Sequence, residues 1–311
     1  MNTSSTPEIS IILPCYNEEQ NVSKIAGEIK SSCRGLDYEL LFVDDGSRDG
    51  TLREIEKLQS ADDAIRRISF IKNQGHQTAI RAGIKSARGN YIITMDADLQ
   101  HPPACLPVMV EKAREGYEVV TMIRDSKQSG FIKNLCSKYF YLFFNKISDT
   151  PIIPNSSDFR LMKRNVADIL NALPERNLVL RIILPVLGFS TAHLHFTPGK
   201  RYSGSQSYTF ARSFTLASQS IFNFTTFPLD IGFKLGLSIS ILAFMYGLIA
   251  IYARLFTDNY VPGYTDIIAS VLFLGGIILI YLGILGKYMA VLIDHVKNRP
   301  EYIPKDNSGA S

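Results

Sequence analysis

Residues 91–103 read YIITMDADLQHPP. Tyr91–Met95 is an apolar run too short for a helix and of the length of a buried strand. Two carboxylates one residue apart, Asp96 and Asp98, follow at once, and Pro103–Glu115 then reads as a helix opened by prolines. The same rhythm runs upstream. Ile9–Leu13 is a short apolar run stopped by Pro14, and Glu18–Ser32 carries Val22, Ile25, Ala26 and Ile29 at helical spacing. Glu39–Val43 predicts a second strand ended by Asp44-Asp45-Gly46, Thr51–Ser60 a helix, Arg67–Ile71 a third strand and Ala79–Ala87 a helix. Glu118–Met122 predicts a fifth strand. The alternation predicts an α/β fold, a mostly parallel sheet with helices on both faces.

Ligands of such sheets bind beyond the carboxyl ends of the strands. Three polar clusters fall there: Cys15-Tyr16-Asn17-Glu18, Asp44-Asp45-Gly46-Ser47 and Asp96-Ala97-Asp98. Two carboxylates one residue apart at a strand end can share a hard divalent cation whose shell is completed by phosphate oxygens. Such a cation neutralises charge building on a departing diphosphate. The alternative for this triplet is a solvated turn, and its place after a buried strand favours the cation. Asp44-Asp45-Gly46-Ser47 reads equally as a turn in its own right or as a carboxylate binding a base or ribose hydroxyl. Arg124 ends the fifth strand, and Lys200-Arg201 lies in a glycine-flanked loop. Guanidinium forks match phosphate oxygens, and all three cations also suit a membrane-proximal surface. Asp158, in Ser157-Asp158-Phe159-Arg160-Leu161, can orient or deprotonate an acceptor, or pair with Arg160. His76, His101, His193 and His195 show no zinc spacing and read as non-ligands.

The 311-residue chain has 33 basic and 29 acidic side chains, a net charge of +4. That balance is too mild for a nucleic-acid partner. Cys15, Cys33, Cys105 and Cys136 lack paired spacing and read as small core residues on the reducing side of a membrane. The opening MNTSSTPEIS has neither the basic nor the apolar region of a signal peptide. Leu235–Ala253 and Ile267–Gly286 are uncharged runs of about 20 residues, the length that crosses a bilayer as a helix. Lys287, Lys297, Arg299 and Lys305 follow the second run, whereas Arg254, Asp258 and Asp266 lie between the two. The basic excess predicts a multi-pass inner-membrane protein with its head and tail in the cytosol. Phe131–Ile147 and Ser207–Leu229 mix aromatic and basic residues and predict interfacial amphipathic helices in the lipid headgroup layer. The expected divisions are 1–128, the nucleotide half; 129–229, the acceptor side; 230–290, the two spans; and 291–311, the tail. Small residues in the spans permit a homo-oligomer.

Together, ISIILPCYNEE (residues 9–19), ELLFVDDGSRDGT (39–51), residues 70–103 and DFRLMKR (158–164) resemble glycosyltransferase family 2, in its polyprenyl-phosphate branch. NFTTFPL (223–229), VPGYTDIIASVLFLGG (261–276) and LGKYMAVLIDHVKNRPEYI (285–303) look like the bactoprenol glucosyltransferases of that branch. The resemblance covers nearly the whole chain. It implies a GT-A head that binds a nucleotide sugar, with UDP-glucose the first choice and GDP-mannose the alternative. It implies metal contacts for Mg2+ or Mn2+ at Asp96, Asp98 and Gln100. The first-strand motif falls on Pro14, Tyr16, Asn17 and Glu18, and the uridine-side carboxylates on Asp44 and Asp45. The acceptor-loop arginine falls on Arg201 and the acceptor-side carboxylate on Asp158. One departure is Gly204-Ser205-Gln206-Ser207, where the family often carries a lysine; Lys200 is the substitute expected here.

The implied acceptor, a polyprenyl phosphate such as undecaprenyl phosphate, has a second pKa near ~6 and is already a nucleophile at neutral pH. The expected difficulty is repulsion between two anions, which Arg124, Arg201 and the cation would screen. A polysaccharide synthase is disfavoured because the chain has no Trp and so lacks that group's acceptor motif. A nucleotide-sugar-binding membrane adaptor is disfavoured by the intact acidic triplet and Asp158.

Overall fold

The predicted strands form in the order the alternation requires. The elements are β1 (Ile9–Cys15), α1 (Glu19–Ser32), β2 (Tyr38–Asp44), α2 (Thr51–Ala61), β3 (Ile65–Ser69), α3 (His76–Ser86) and β4 (Tyr91–Thr94). A single 3-10 turn (Pro103–Cys105) leads into α4 (Leu106–Arg114), followed by β5 (Val119–Arg124), β6 (Ser156–Lys163), α5 (Arg164–Ala172), α6 (Leu180–Leu187) and β7 (Thr191–Phe196). The computed structural model describes residues 6–125, 156–174, 179–199, 227–256, 264–297 and 299–305. It divides into two units, Met1–Gln206 with Arg299–Ser311, and Ser207–Asn298.

In the first unit seven strands make one sheet in the order β3-β2-β1-β4-β6-β5-β7. Pairing is parallel except at β6, which runs antiparallel to both β4 and β5. Side chains alternate across each strand, so the sheet needs apolar cover on both faces. Helices α1, α2 and α4 supply Val22, Ile25, Ile55 and Met109 to the face that carries Ile11 and Leu13. Helices α3, α5 and α6 supply Ile80, Val166, Leu170 and Leu184 to the face that carries Ile12 and Met162.

Most boundaries move by one to three residues from the sequence reading, and two of the shifts, at β3 and α3, have a clear cause. The third strand begins at Ile65 instead of Arg67, because its two arginines are paired within the sheet region. Arg66 bonds Glu39 at 2.7 Å, and Arg67 reaches Gln59 at 3.1 Å and Glu56 at 3.2 Å. Helix α3 begins at His76, three residues before the apolar spacing starts, immediately after Gly75 at φ 99°.

The segment after the last helix returns to this first unit. Pro304 bridges Phe70 in antiparallel fashion, and the Ile71 and Lys305 amides donate to Ile303 O (3.0 Å) and Ser69 O (2.7 Å). The Tyr302 ring stacks on Phe70 at 4.5 Å, and Arg81 donates to Glu301 at 2.7 Å.

The second unit contains α7 (Phe227–Phe256) and α8 (Tyr264–Val296). Gly232 lies so close to Tyr281 that a Cβ there would stand 2.3 Å from the ring, which places the start of α7 beside the second half of α8. Among the described residues, Phe273–Ile293 is one stretch long and apolar enough to cross a membrane, and Ile231–Tyr246 is a shorter apolar one. Phe131–Ile147 and residues 207–226 of the expected interfacial segments lie outside the described residues; Phe227–Leu229 open α7.

Candidate active site

The carboxyl ends of β1 and β2 are tied to each other before any ligand arrives. The Asn17 amide donates to Ser47 Oγ (3.0 Å), the Arg48 amide to Asn17 Oδ1 (2.9 Å) and the Glu18 amide to Thr51 Oγ1 (2.8 Å). Asn17 holds φ 56°, a left-handed conformation that an asparagine tolerates better than most residues. Pro14 is buried in β1, while Tyr16 is exposed at its end. Asp44 is buried: it accepts the Ser47 amide at 3.0 Å through Oδ1 and the Ser69 hydroxyl at 2.8 Å through Oδ2. Asp45 is buried too and accepts the Gln74 and Gly75 amides at 2.7 and 2.9 Å. Burial raises its carboxyl pKa, and those two amides only partly offset the rise. Gly46, at φ 68°, cannot carry a side chain, since a Cβ would meet the Lys72 carbonyl carbon at 2.7 Å. Both aspartates thus spend their oxygens on shaping the loops before α2 and α3.

The loop after β4 carries Asp96, Asp98 and Gln100. The Asp96 amide donates to His101 Nδ1 at 2.9 Å, and His101 Nε2 stands 3.6 Å from Asp96 Oδ2. Burial depresses the His101 pKa against the pull of Asp96 and Asp98, so the ring is neutral and its proton sits on Nε2, toward Asp96. The ring stacks on Phe159 at 5.0 Å and meets the edge of Phe196 at 5.6 Å. Asp98 is buried and accepts the Gln100 amide at 3.0 Å. Between them Leu99 sits at φ 64°, which costs a branched side chain on the order of 1–3 kcal/mol. Gly199 holds this turn: its amide donates to Gln100 O at 3.0 Å, and a Cβ on it would stand 2.6 Å from Leu99 O. Arg124 at the end of β5 donates to Gln100 Oε1.

Asp158 faces this loop from β6. Its Oδ2 accepts Gln77 Nε2 and Arg181 Nη2, both at 2.9 Å, and its Oδ1 lies 3.5 Å from Arg160. Burial alone would raise its pKa. The charges of Arg181, Arg160 and His76 outweigh that and hold it down to about 2. His76 joins the two acidic positions, with Nε2 at 3.3 Å from Asp96 Oδ1 and 3.7 Å from Asp158 Oδ2.

The donor set at β4 suits a hard cation. Asp96 Oδ1 is a buried carboxylate oxygen without a hydrogen-bond donor, and Asp98 and the Gln100 carbonyl add further oxygens. Among the described residues no group of three His, Cys, Asp or Glu forms a closed metal cage. The arrangement therefore fits an ion that brings ligands of its own, as Mg2+ does with phosphate oxygens.

The structure brings Pro14, Tyr16, Asn17, Glu18, Asp44, Asp45, Asp96, Asp98, Gln100, Arg124 and Asp158 to the same end of the sheet. Lys200 and Arg201 lie outside the described residues; Gly199, just before them, is bonded to Gln100. Sequence reasoning missed Arg181 and Gln77, and it set aside His76 and His101 for lacking zinc spacing. The signal for His76 and Gln77 was their place directly after Gly75 at the opening of a helix. Nothing local marks Arg181, which reaches Asp158 from 23 residues away.

A profile described as Glycosyl transferase family 2 matches residues 10–170. The SfII prophage-derived bactoprenol glucosyl transferase of Shigella flexneri is 35% identical over 301 residues, covering 96% of this chain and 97% of that protein. An uncharacterized glycosyltransferase of Synechocystis sp. is 34% identical over 304 residues, covering 97% and 96%. Among solved structures, glucosyl-3-phosphoglycerate synthase from Mycobacterium tuberculosis, in complex with Mn2+, uridine diphosphate and phosphoglyceric acid, aligns with TM-score 0.51 at 19% identity. That alignment covers 70% of this chain and 76% of the other, and it shows a shared GT-A-like fold.

Proposed function

Because this chain belongs to glycosyl transferase family 2 and is a glycosyltransferase, we propose that it moves one sugar from a nucleotide diphosphate onto a polyprenyl phosphate. Glucose from UDP-glucose and undecaprenyl phosphate are the substrates assigned, and the transfer inverts the anomeric centre. The chain is then a protein of the inner membrane, crossing it with α7 and α8 and working at the cytosolic face. Its Shigella relative is named for bactoprenol glucosyl transfer, which supports this choice.

The carrying observation is His76 standing between Asp96 and Asp158, at 3.3 and 3.7 Å, which puts a metal-type carboxylate and an acceptor-side carboxylate within one site. Asp96 and Asp98, with Gln100, would hold Mg2+ or Mn2+, which when bound neutralises charge on the departing diphosphate. Tyr16 and the Asn17–Glu18 turn flank the nucleotide; Asp44 and Asp45 act by fixing the loops around it. Arg124 orients Gln100 and faces phosphate, and Lys200 and Arg201 serve the acceptor. The acceptor phosphate needs no base, since it is largely dianionic at neutral pH. Asp158, held down to about 2, matches that demand: it is a poor proton acceptor and a fixed negative charge that orients Arg181 and Gln77.

The test is incubation of the purified full-length chain with undecaprenyl phosphate and a panel of UDP-glucose, UDP-N-acetylglucosamine and GDP-mannose, followed by mass spectrometry of the lipids. A hexose-phosphate lipid from UDP-glucose, abolished by a chelator, is expected. Absence of lipid-linked sugar with every donor would contradict the reading, and product from GDP-mannose alone would replace the sugar.

A further inference from the structure

A cavity of about 200 Å³ lies beneath α6, outside the cluster at the end of β4. Its polar wall is continuous with the active site through the sheet register. Thr94 pairs with Arg160, Arg160 with Thr121, and Thr121 with His193, so four polar residues cross the sheet in one row. Ile92, Met162 and Val119 are buried on the same face, and Asp158 shares it two residues before Arg160. Arg160, Thr121 and His193 line the cavity from the sheet; Arg181, Leu184 and Pro185 line it from α6.

The charge of this wall is unbalanced. Asp158 faces two guanidinium groups, Arg160 and Arg181, so the trio carries one surplus positive charge. Arg160 is 1% exposed, and its Nε has no hydrogen-bond partner. A buried donor left without a partner costs roughly 1–3 kcal/mol, and Arg160 carries that cost at the cavity wall while its Nη2 donates to Ser157 O. Burial lowers the Arg160 pKa to about 10; Asp158 opposes that shift, and Arg181 adds a smaller push in the same direction as burial. Guanidinium pairs are suited to phosphate. The apolar side formed by Leu184 and Pro185 suits the first carbons of an alcohol. The space is smaller than the roughly 300–1,000 Å³ pockets that hold drug-sized ligands, which excludes a nucleotide.

We propose that this cavity seats a phosphate monoester, the head group of the acceptor lipid, against Arg160 and Arg181. The proposal rests on the acceptor reading above. It adds Thr121 and His193 as residues that determine acceptor affinity.

The test is calorimetric titration of the full-length chain in detergent, without donor, using farnesyl phosphate in one arm and inorganic phosphate in the other. The wild type is compared with a Thr121→Val/His193→Leu double variant and with Leu184→Phe, which fills the cavity from its apolar side. Thermal melting identifies any variant that does not fold, and the other variant then carries the test. Farnesyl phosphate should bind the wild type and lose about tenfold or more in either folded variant, with inorganic phosphate binding more weakly and competing. Unchanged farnesyl phosphate affinity in a folded variant would overturn the seat. Binding of inorganic phosphate that farnesyl phosphate does not displace would overturn its assignment to the lipid. Because binding is read without turnover, a wild type that binds farnesyl phosphate through these residues yet transfers no sugar would refute the proposed reaction and leave the seat standing.

Discussion

Thr94 donates its hydroxyl to the main-chain oxygen of Asp158 at 2.6 Å, across the antiparallel joint of β4 and β6. This bond ties β4, which leads into Asp96 and Asp98, to the strand that presents Asp158. Both residues are buried, so the carbonyl has no water to fall back on. Thr94→Val should cost about 1–3 kcal/mol in thermal or denaturant unfolding. It should also lower kcat, because Asp158 and the aspartates that follow β4 lose their common reference.

Asp158 makes stability depend on pH in a defined direction. Its pKa is held down from 3.8 to about 2, so its contribution is complete above about pH 4 and is lost as pH falls toward 2. That shift corresponds to about 2 kcal/mol. Asp158→Asn removes it and leaves Arg160 buried beside Arg181, a loss of roughly 3–5 kcal/mol at neutral pH. Melting curves of wild type and variant should converge as pH drops below about 4. The acid limb of kcat/KM should follow the acceptor phosphate near ~6 and move with analogues of different pKa.

His101 tests how the acidic loop is aimed. His101→Phe keeps the ring contacts with Phe159 and Phe196 but leaves the Asp96 amide without its acceptor. Divalent-ion affinity measured in the presence of UDP should fall about 10–100-fold, the usual cost of losing a partner that orients a ligand. His101→Gln, which can still accept from that amide, should recover part of it.

The C-terminal segment reaches Asp44, assigned above to the loops around the proposed nucleotide, through Ser69 and Phe70. The Lys305 amide is bonded to Ser69 O, and the Ser69 hydroxyl holds Asp44. Tyr302→Ala removes the stack on Phe70 and should lower stability by about 1 kcal/mol. The donor KM should rise with little change in the acceptor KM, which a steady-state assay varying each substrate would separate.

The residues that could be read in advance were those whose local chemistry matches their role. β1, β2 and β4 are mostly apolar because both their faces are covered, with Ser10 and Glu39 bonded to each other across β1 and β2, and each strand leads into a polar cluster where the sheet opens. Ser156–Lys163 is different. It is a central strand, yet it buries Asp158 and Arg160 on one face, so its alternation is charged where an apolar strand is expected. Those charges are tolerated only because Arg181 and Gln77, distant in the chain, meet them. The same long-range pairing hid the boundaries of β3, where Arg66 and Arg67 find acidic and amide partners on neighbouring elements. Likewise, Glu301 and Tyr302 read as tail residues until Arg81 and Phe70 are placed beside them.

The central claim is that Asp98, with Asp96, holds the ion that carries the diphosphate. The direct measurement is transfer of radiolabelled glucose from UDP-glucose into undecaprenyl phosphate by Asp98→Asn, an isosteric change that keeps an acceptor for the Gln100 amide. With melting temperature unchanged, transfer should drop roughly a hundredfold or more. A folded variant that labels the lipid at the wild-type rate would contradict the account.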